Sequence, residues 1–362
     1  MMGKTAVVYS EAFFGTPDGK TANGLVRHSE KYEILAVIDS TKAGTDAGAY
    51  LDDLPNGIPI CSDLADAITC AGRVPDYFIL GVAPLSGLLS RRQRGVVLDA
   101  MRRGMSIVNG LHEFLNDDLE FTAAAAAGGV RILDVRRPRA KKDLRMFTGD
   151  IDKVTCPRIA VLGTDGAIGK RTTATILTRA LGERGINAVL VGTGQTGLIQ
   201  GARYGVALDA IPCQFCSGEM EAAVVEAFEA ERPDVIVVEG QGALSHPAYL
   251  SSTFILRGAR PDAVILQHAP ARRMLGDFPG LPTPTPASEI ALLRAFAGTP
   301  VIGLAINHED MTDAEVSAAI ILYELELGIP ATDALTRPTD RLVDMVLHAF
   351  PALEAKLATG AA

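Results

Sequence analysis

The chain has 362 residues, 48% of them hydrophobic and 36 of them glycine, enough for two globular domains and free of low-complexity tracts. A formal charge of −9 argues against nucleic acid or an anionic membrane surface as a partner, while leaving room for a local basic pocket. The opening MMGKTAVVYSEAFFG lacks the apolar core of a signal peptide and no apolar run approaches the roughly 18 residues of a spanning helix, so a soluble, cytoplasmic protein is expected, with self-association left open.

From Lys4 onward strand-like and helix-like runs alternate, the pattern of a parallel α/β domain. Strands are expected at 5–10, 34–39, 77–82, 106–109 and 131–134, with helices near 23–28, 63–69, 88–103 and 121–127. Ligands of such sheets collect at the carboxyl ends of the strands, where Asp39 stands ready to accept from a ribose hydroxyl. The dinucleotide fingerprint G-x-G-x-x-G is absent, however, since Gly15, Gly19 and Gly24 are spread through a longer loop. A repurposed Rossmann-like domain over 1–135 is therefore expected rather than an NAD-binding one.

Residues 136–157 (RRPRAKKDLRMFTGDIDKVTCP) break the alternation, with cations first and acids later. They read as a charged linker, or as a basic rim for an anionic cofactor. The second domain, 158–362, opens on RIAVLGTDGAIGKRTTA: an apolar strand, a glycine-bearing loop and the start of a helix. Glycines let a backbone approach an anion, the first helical N–H groups point at it, and a lysine adds a charge. Gly163, Thr164, Asp165, Gly166, Gly169, Lys170, Arg171, Thr172 and Thr173 are the expected anion-binding residues. The spacing departs from G-x-x-x-x-G-K-[ST] twice: the first glycine comes one residue early, and Arg171 replaces the hydroxyl that holds magnesium. Glycines serving packing alone are the plain alternative, though a buried Lys170 fits that badly.

Further strands are expected at 188–191, 235–238, 263–266 and 301–306, giving a second parallel sheet, of the phosphate-loop NTPase type. Thr312 and Glu315 form a capping box ahead of a helix with Val316, Ala319, Ile320 and Tyr323 on its apolar face. Each strand of this half runs into polar, glycine-bearing sequence: GTGQTG with Gln195, EGQGALSHP with Glu239, Gln241 and His246, then Gln267, His268 and Arg272, then Asn307, His308 and Glu309. A carboxylate directly after four apolar strand residues is costly unless something uses it. Histidines at strand ends also serve as wall residues. Arg203 and Arg257, beside glycines, could clamp a carboxylate or could be ordinary surface charges. The five cysteines are too scattered for a disulfide framework, and the lone C-x-x-C of Cys213 and Cys216 lacks the second half of a tetrahedral zinc site, so no metal is expected.

GTDGAIGKRTT resembles the loop of dethiobiotin synthetase and its relatives, which also begins one residue early and implies ATP-dependent carboxylation, ligation or amidation. Arg171 departs from it at the magnesium position. A resemblance over nearly the whole chain rests on AFFGTPDGKTANGL, VIDS, ILGVAP, GTDGAIGKRTT, GTGQTG, VVEGQGALSHP and DFPGLPTPTPASE. These are similar to a bacterial family that pairs a Rossmann-like domain with a phosphate-loop domain and includes a D-glutamate N-acetyltransferase. That resemblance implies acetyl transfer from acetyl-CoA to the amino group of an acidic amino acid, with the coenzyme's phosphates on the loop. A base would come from Glu239, His246 or His268, and oxyanion donors from Gln195, Gln241 or backbone N–H groups. Arg203, Arg257 and Arg272 would meet the substrate carboxylates. Two other readings stand beside it: an ATP-dependent ligase or kinase needing magnesium, and a non-catalytic nucleotide-binding sensor or metallochaperone.

Overall fold

The structure is a computed structural model that describes residues 4–84 and 86–360. Its contacts divide the chain into two compact units, Met1–Pro138 with Gln195–Ala202, and Arg139–Gly194 with Arg203–Ala362.

In the first unit, β1 (Lys4–Tyr9), β2 (Tyr32–Ile38), β3 (Ile60–Cys61), β4 (Tyr77–Leu80), β5 (Ser106–Asn109) and β6 (Ile132–Asp134) pair in parallel in the order β3-β2-β1-β4-β5-β6. This is the 3-2-1-4-5-6 order of dinucleotide-binding sheets. Both faces are covered, so the strands read as continuous apolar runs, and neighbours alternate between two cores. Val7, Phe78 and Ile107 pack in one core with Met101 and Phe121. Val8, Ile79 and Val108 pack in the other with Phe14 and Leu25. Helices start where side chains cap them: Asp63 accepts from Asp66 N ahead of Leu64–Ala71, and Ser90 and Gln93 form a capping box ahead of Arg91–Arg102. The two-residue β3 and the helix Ala47–Asp52 are too short to show a period, and the sequence did not reveal them.

Asp39, at the end of β2, closes its own loop. Its buried carboxylate accepts from Phe14 N at 3.1 Å, from Thr41 N and Oγ1 at 3.0 and 2.6 Å, and from Lys42 Nζ at 3.2 Å. Burial opposes its charge, and these bonds overcome that, holding the carboxyl below its ordinary range. The helix Gln195–Gln200 is grouped with this unit although its sequence lies in the second half: Thr196 and Thr21 hydroxyls meet at 2.9 Å, and Gln200 Nε2 donates to His28 O.

The second unit holds β7 (Arg158–Gly163), β8 (Ala188–Gly192), β9 (Tyr204–Gly205), β10 (Val235–Glu239), β11 (Ala263–His268), a separate antiparallel pair β12 (Met274–Leu275) and β13 (Phe278–Pro282), then β14 (Val301–Ile306) and β15 (Ala331–Asp333). The parallel sheet runs β15-β14-β11-β7-β10-β8-β9. The phosphate-type loop thus leaves the central strand, between β10 and β11, where the strand order reverses and ligands gather. Alternation again splits the core: Ala160, Leu162, Ile236 and Val238 on one face, Ile159, Val161, Val235 and Val237 on the other. The helix after the loop, Lys170–Glu183, buries Ala174, Leu177, Ala180 and Leu181. The chain turns away at Gly185, φ +84°.

Thr312 and Glu315 form the expected capping box of Asp313–Leu327. That helix buries Val316 but leaves Ile321, Leu322 and Leu325 largely exposed. Of residues 139–157, Arg145 pairs with Glu219 at 2.8 Å and with Glu226, and Glu221 accepts from Thr148 N and Ile151 N. These acids lie on the 19-residue helix Cys213–Glu231. Cys213 and Cys216 occupy its first turn. Cys213 is exposed, while Cys216 is buried with Sγ against the Ile211 carbonyl, and burial pushes its thiol up to about 12. Among the described residues, no helix is long and apolar enough to cross a membrane.

Candidate active site

The loop is built by close approach. A Cβ on Gly163 would stand 2.9 Å from the Gln267 carbonyl oxygen of β11, which accepts from Thr164 N at 3.1 Å. The backbone then enters the left-handed region at Ala167 (φ +49°) and Gly169 (φ +96°) before the helix begins at Lys170. A turn there costs a non-glycine residue strain that the surrounding structure must absorb. The helix start leaves its first N–H groups without intrahelical acceptors, aimed out of the loop with the positive end of the dipole behind them. Lys170 is buried, and its Nζ donates to the Asp165 carbonyl. Thr173 Oγ1 donates to Gln267 Oε1 at 2.6 Å, and the side-chain amides of Asn307 and Gln267 lie beside Gly169. The result is a cradle of N–H groups and buried cation, the chemistry of an anion site. Thr172 is half-buried on the first helical turn.

One wall of the loop is an ion-pair chain. Asp165, 2% exposed, accepts from Gly276 N and from Arg272 at 3.0 Å. Arg272 also donates to the Gly166 carbonyl and grips both oxygens of Glu309 at 2.6 and 2.8 Å. Burial alone would weaken its charge. The two carboxylates outweigh burial and raise its pKa. Arg272 is therefore at the loop, but its guanidinium is spent on holding it.

The other wall is the end of β10. Glu239 is fully buried, and burial raises its pKa against the opposing pull of Arg171, the Thr193 and Gly194 N–H groups and Lys170. Its Oε2 accepts from Thr193 N at 2.9 Å, and Gln241 Nε2 donates to Thr193 Oγ1 at 2.8 Å. Gly240 packs its α-carbon onto β7 so closely that a Cβ would lie 2.0 Å from the Val161 carbonyl oxygen. His246 follows, 4% exposed, stacked on Tyr249 at 4.4 Å with Phe278 edge-on at 5.7 Å. Its Nδ1 accepts from Ala248 N and Tyr249 N, both at 3.2 Å. Burial lowers its pKa, offset in part by Asp165 and Asp277.

His268 also stands beside the loop, as a wall residue. Both ring nitrogens are engaged, with Thr164 Oγ1 at 2.9 Å and Tyr323 OH at 3.1 Å, and burial pushes its pKa down to about 4. The remaining expected residues have partners of their own. Arg203 pairs with Glu231 and is mostly exposed, and Arg257 sits over the Phe296 ring at 4.6 Å. Gln195 is counted with the first unit, its side chain against Gly110. A residue not singled out from sequence, Asp333, holds His308: Oδ2 meets the ring Nδ1 at 2.5 Å, at the carboxyl ends of β15 and β14. Their spacing of 25 residues hides the pair until the two strands are placed side by side. Among the described residues, one group has metal-ligating side chains in reach of each other, Cys61, Asp66 and Cys70 of the first unit.

The chain matches two domains of one family: residues 40–138 match its Rossmann-like domain and residues 145–343 its P-loop domain, both described as domains of unknown function, DUF1611. A D-glutamate N-acetyltransferase of Tritonibacter scottomollicae is 33% identical over 74% of this chain and 79% of its own length. Another protein of that name, from a Pseudoalteromonas species, is 31% identical over 80% of this chain and 87% of its own. The crystal structure of a DUF1611 family protein from Anabaena variabilis is 30% identical, with a TM-score of 0.87, and covers 96% of this chain and all of the other. With a Rossmann-like sheet, a P-loop sheet and these matches along most of its length, the chain belongs to the DUF1611 family.

Proposed function

We propose that this protein moves an acetyl group from acetyl-CoA to the amino group of an acidic amino acid, with D-glutamate as the substrate. The observation that carries the reading is the likeness to two relatives named D-glutamate N-acetyltransferase over 74% and 80% of the chain. The loop supports it. Coenzyme A brings a pyrophosphate and a 3′-phosphate, which suit an N–H cradle with Lys170. Arg171 supports holding phosphate over cleaving it: where a magnesium-dependent loop has a hydroxyl, this chain has a cation, and Arg171 is the strongest charge opposing the burial of Glu239.

Acetyl transfer needs a base for the amine proton and a donor for the thioester oxygen. Glu239 suits the base, since burial raises its proton affinity toward working pH. The amine nitrogen attacks the thioester carbon as its proton passes to Glu239. The C–S bond then breaks, and the thiolate of coenzyme A leaves and is protonated.

The test is direct. Purified protein incubated with acetyl-CoA and D-glutamate, without added metal, should release free thiol and yield N-acetylglutamate in equal amounts. Absence of product across a panel of D- and L-amino acids would overturn the reading.

A further inference from the structure

We infer that His246 donates a hydrogen bond from Nε2 to the thioester oxygen, a role distinct from that of the base. The inference rests on the acetyl-transfer reading above and assigns a part within it. Nδ1 accepts from two backbone N–H groups, Ala248 and Tyr249. An accepting nitrogen holds a lone pair, so a neutral ring must carry its single proton on Nε2.

The ring is kept neutral and in place. Burial outweighs the favourable fields of Asp165 and Asp277, with Lys170 adding to the burial effect. Tyr249 stacks on one face at an interplanar angle of 14°, and its hydroxyl is tied to Asp277 at 2.6 Å. Phe278 meets the ring edge-on, and Gly242 leaves no side chain between the strand-end loop and the imidazole. Flipping the ring would break both Nδ1 bonds.

Nε2 itself is buried and, among the described residues, has no hydrogen-bond partner. A buried N–H without an acceptor is costly, and such orphans mark places where a ligand supplies what the protein withholds. Gly276 N donates to Asp165 of the loop, and the next two residues, Asp277 and Phe278, meet Tyr249 and His246, which sets the imidazole beside the loop. As the amine attacks, the C=O electron pair moves to oxygen, and Nε2–H meets the charge that develops there. When the C–S bond breaks, the carbonyl re-forms and His246 keeps its proton. A neutral imidazole serves such a role better than imidazolium, because it polarises without giving the proton away.

Two measurements test this. Nitrogen-15 NMR of the substrate-free enzyme reads the tautomer and should show the proton on Nε2 at neutral pH. Kinetics of His246→Gln and His246→Ala follow. Alanine should lower kcat by about 10²–10³-fold, the usual loss of one oxyanion donor. KM for acetyl-CoA should stay within about threefold, because the donor acts on charge that forms only in the transition state. Glutamine, which keeps an N–H, should recover at least about tenfold of that loss. Circular dichroism confirms that each variant is folded. An active wild type with its proton on Nδ1, or with glutamine as impaired as alanine, overturns this inference alone. A wild type with no transferase activity overturns both it and the acetyl-transfer reading.

Discussion

His308 Nδ1 donates to Asp333 Oδ2 at 2.5 Å, while Asp333 Oδ1 accepts from Leu335 N and Thr336 N. The carboxylate is 1% exposed, and the imidazole is about one-third exposed. A buried acid fixed by backbone N–H groups thus orients a partly exposed histidine ring. The two partners predict different losses. His308→Ala removes one hydrogen bond at a partly exposed ring and should cost about 1 kcal/mol or less. Asp333→Asn, which disturbs a buried network, should cost about 1–3 kcal/mol of stability in denaturant titrations.

Lys170 lies buried inside the loop, at the start of the helix Lys170–Glu183. Lys170→Ala should weaken acetyl-CoA binding by at least about tenfold, since a charge-assisted phosphate contact contributes about 1.5–3 kcal/mol. Isothermal titration with coenzyme A measures it. Unchanged affinity would remove the loop from the coenzyme site.

Glu239 carries a raised pKa because of burial. Between its unfolded value and that raised value the native state holds more protons than the unfolded state, so its contribution to stability falls as pH rises through the window. Glu239→Gln should therefore melt at a higher temperature than wild type at neutral pH, with the gain shrinking in acid. The same variant should lose about 10²–10⁴ in kcat as a missing base. A lower melting temperature would contradict the burial argument.

His268 titrates in the opposite sense. With its pKa pushed down to about 4, the native state binds fewer protons than the unfolded chain between about pH 4 and 6.5, and stability is lost as pH falls through that range. The full effect is on the order of 3 kcal/mol. His268→Gln should flatten that part of the stability profile in urea titrations from pH 7 to pH 4. A profile as steep as the wild type's would contradict it.

Gly240 has no room for a side chain, because its Cβ would lie 2.0 Å from the Val161 carbonyl oxygen. Gly240→Ala should cost about 3 kcal/mol or more, as β7 and β10 are forced apart. The midpoint of a chemical denaturation curve reads the change.

Much of the fold was legible because buried parallel strands leave apolar runs that need no partner to be recognised. The runs ending at Tyr9, Asn109, Val191 and Ile306 are of this kind. The phosphate-type loop was legible for the same reason: its glycines, lysine and helix start are consecutive, so local stereochemistry fixes the chemistry. Short elements such as β3, β9 and β15 were not legible, because two or three residues cannot show a period and form only when a neighbouring strand offers its edge.

The order of amino acids alone shows which residue types end each strand, and hence the candidates Glu239, His246, His268 and Arg272. Only the tertiary structure separated their roles, because a role depends on what each polar atom already bonds. Arg272 is consumed by Asp165 and Glu309, and His268 by Thr164 and Tyr323. His246 has its lone pair occupied and its Nε2 unpartnered among the described residues. Asp333 reaches His308 because β14 and β15 are neighbours. Hydrogen bonds between residues tens of positions apart are set by strand order, and strand order is a property of the assembled sheet.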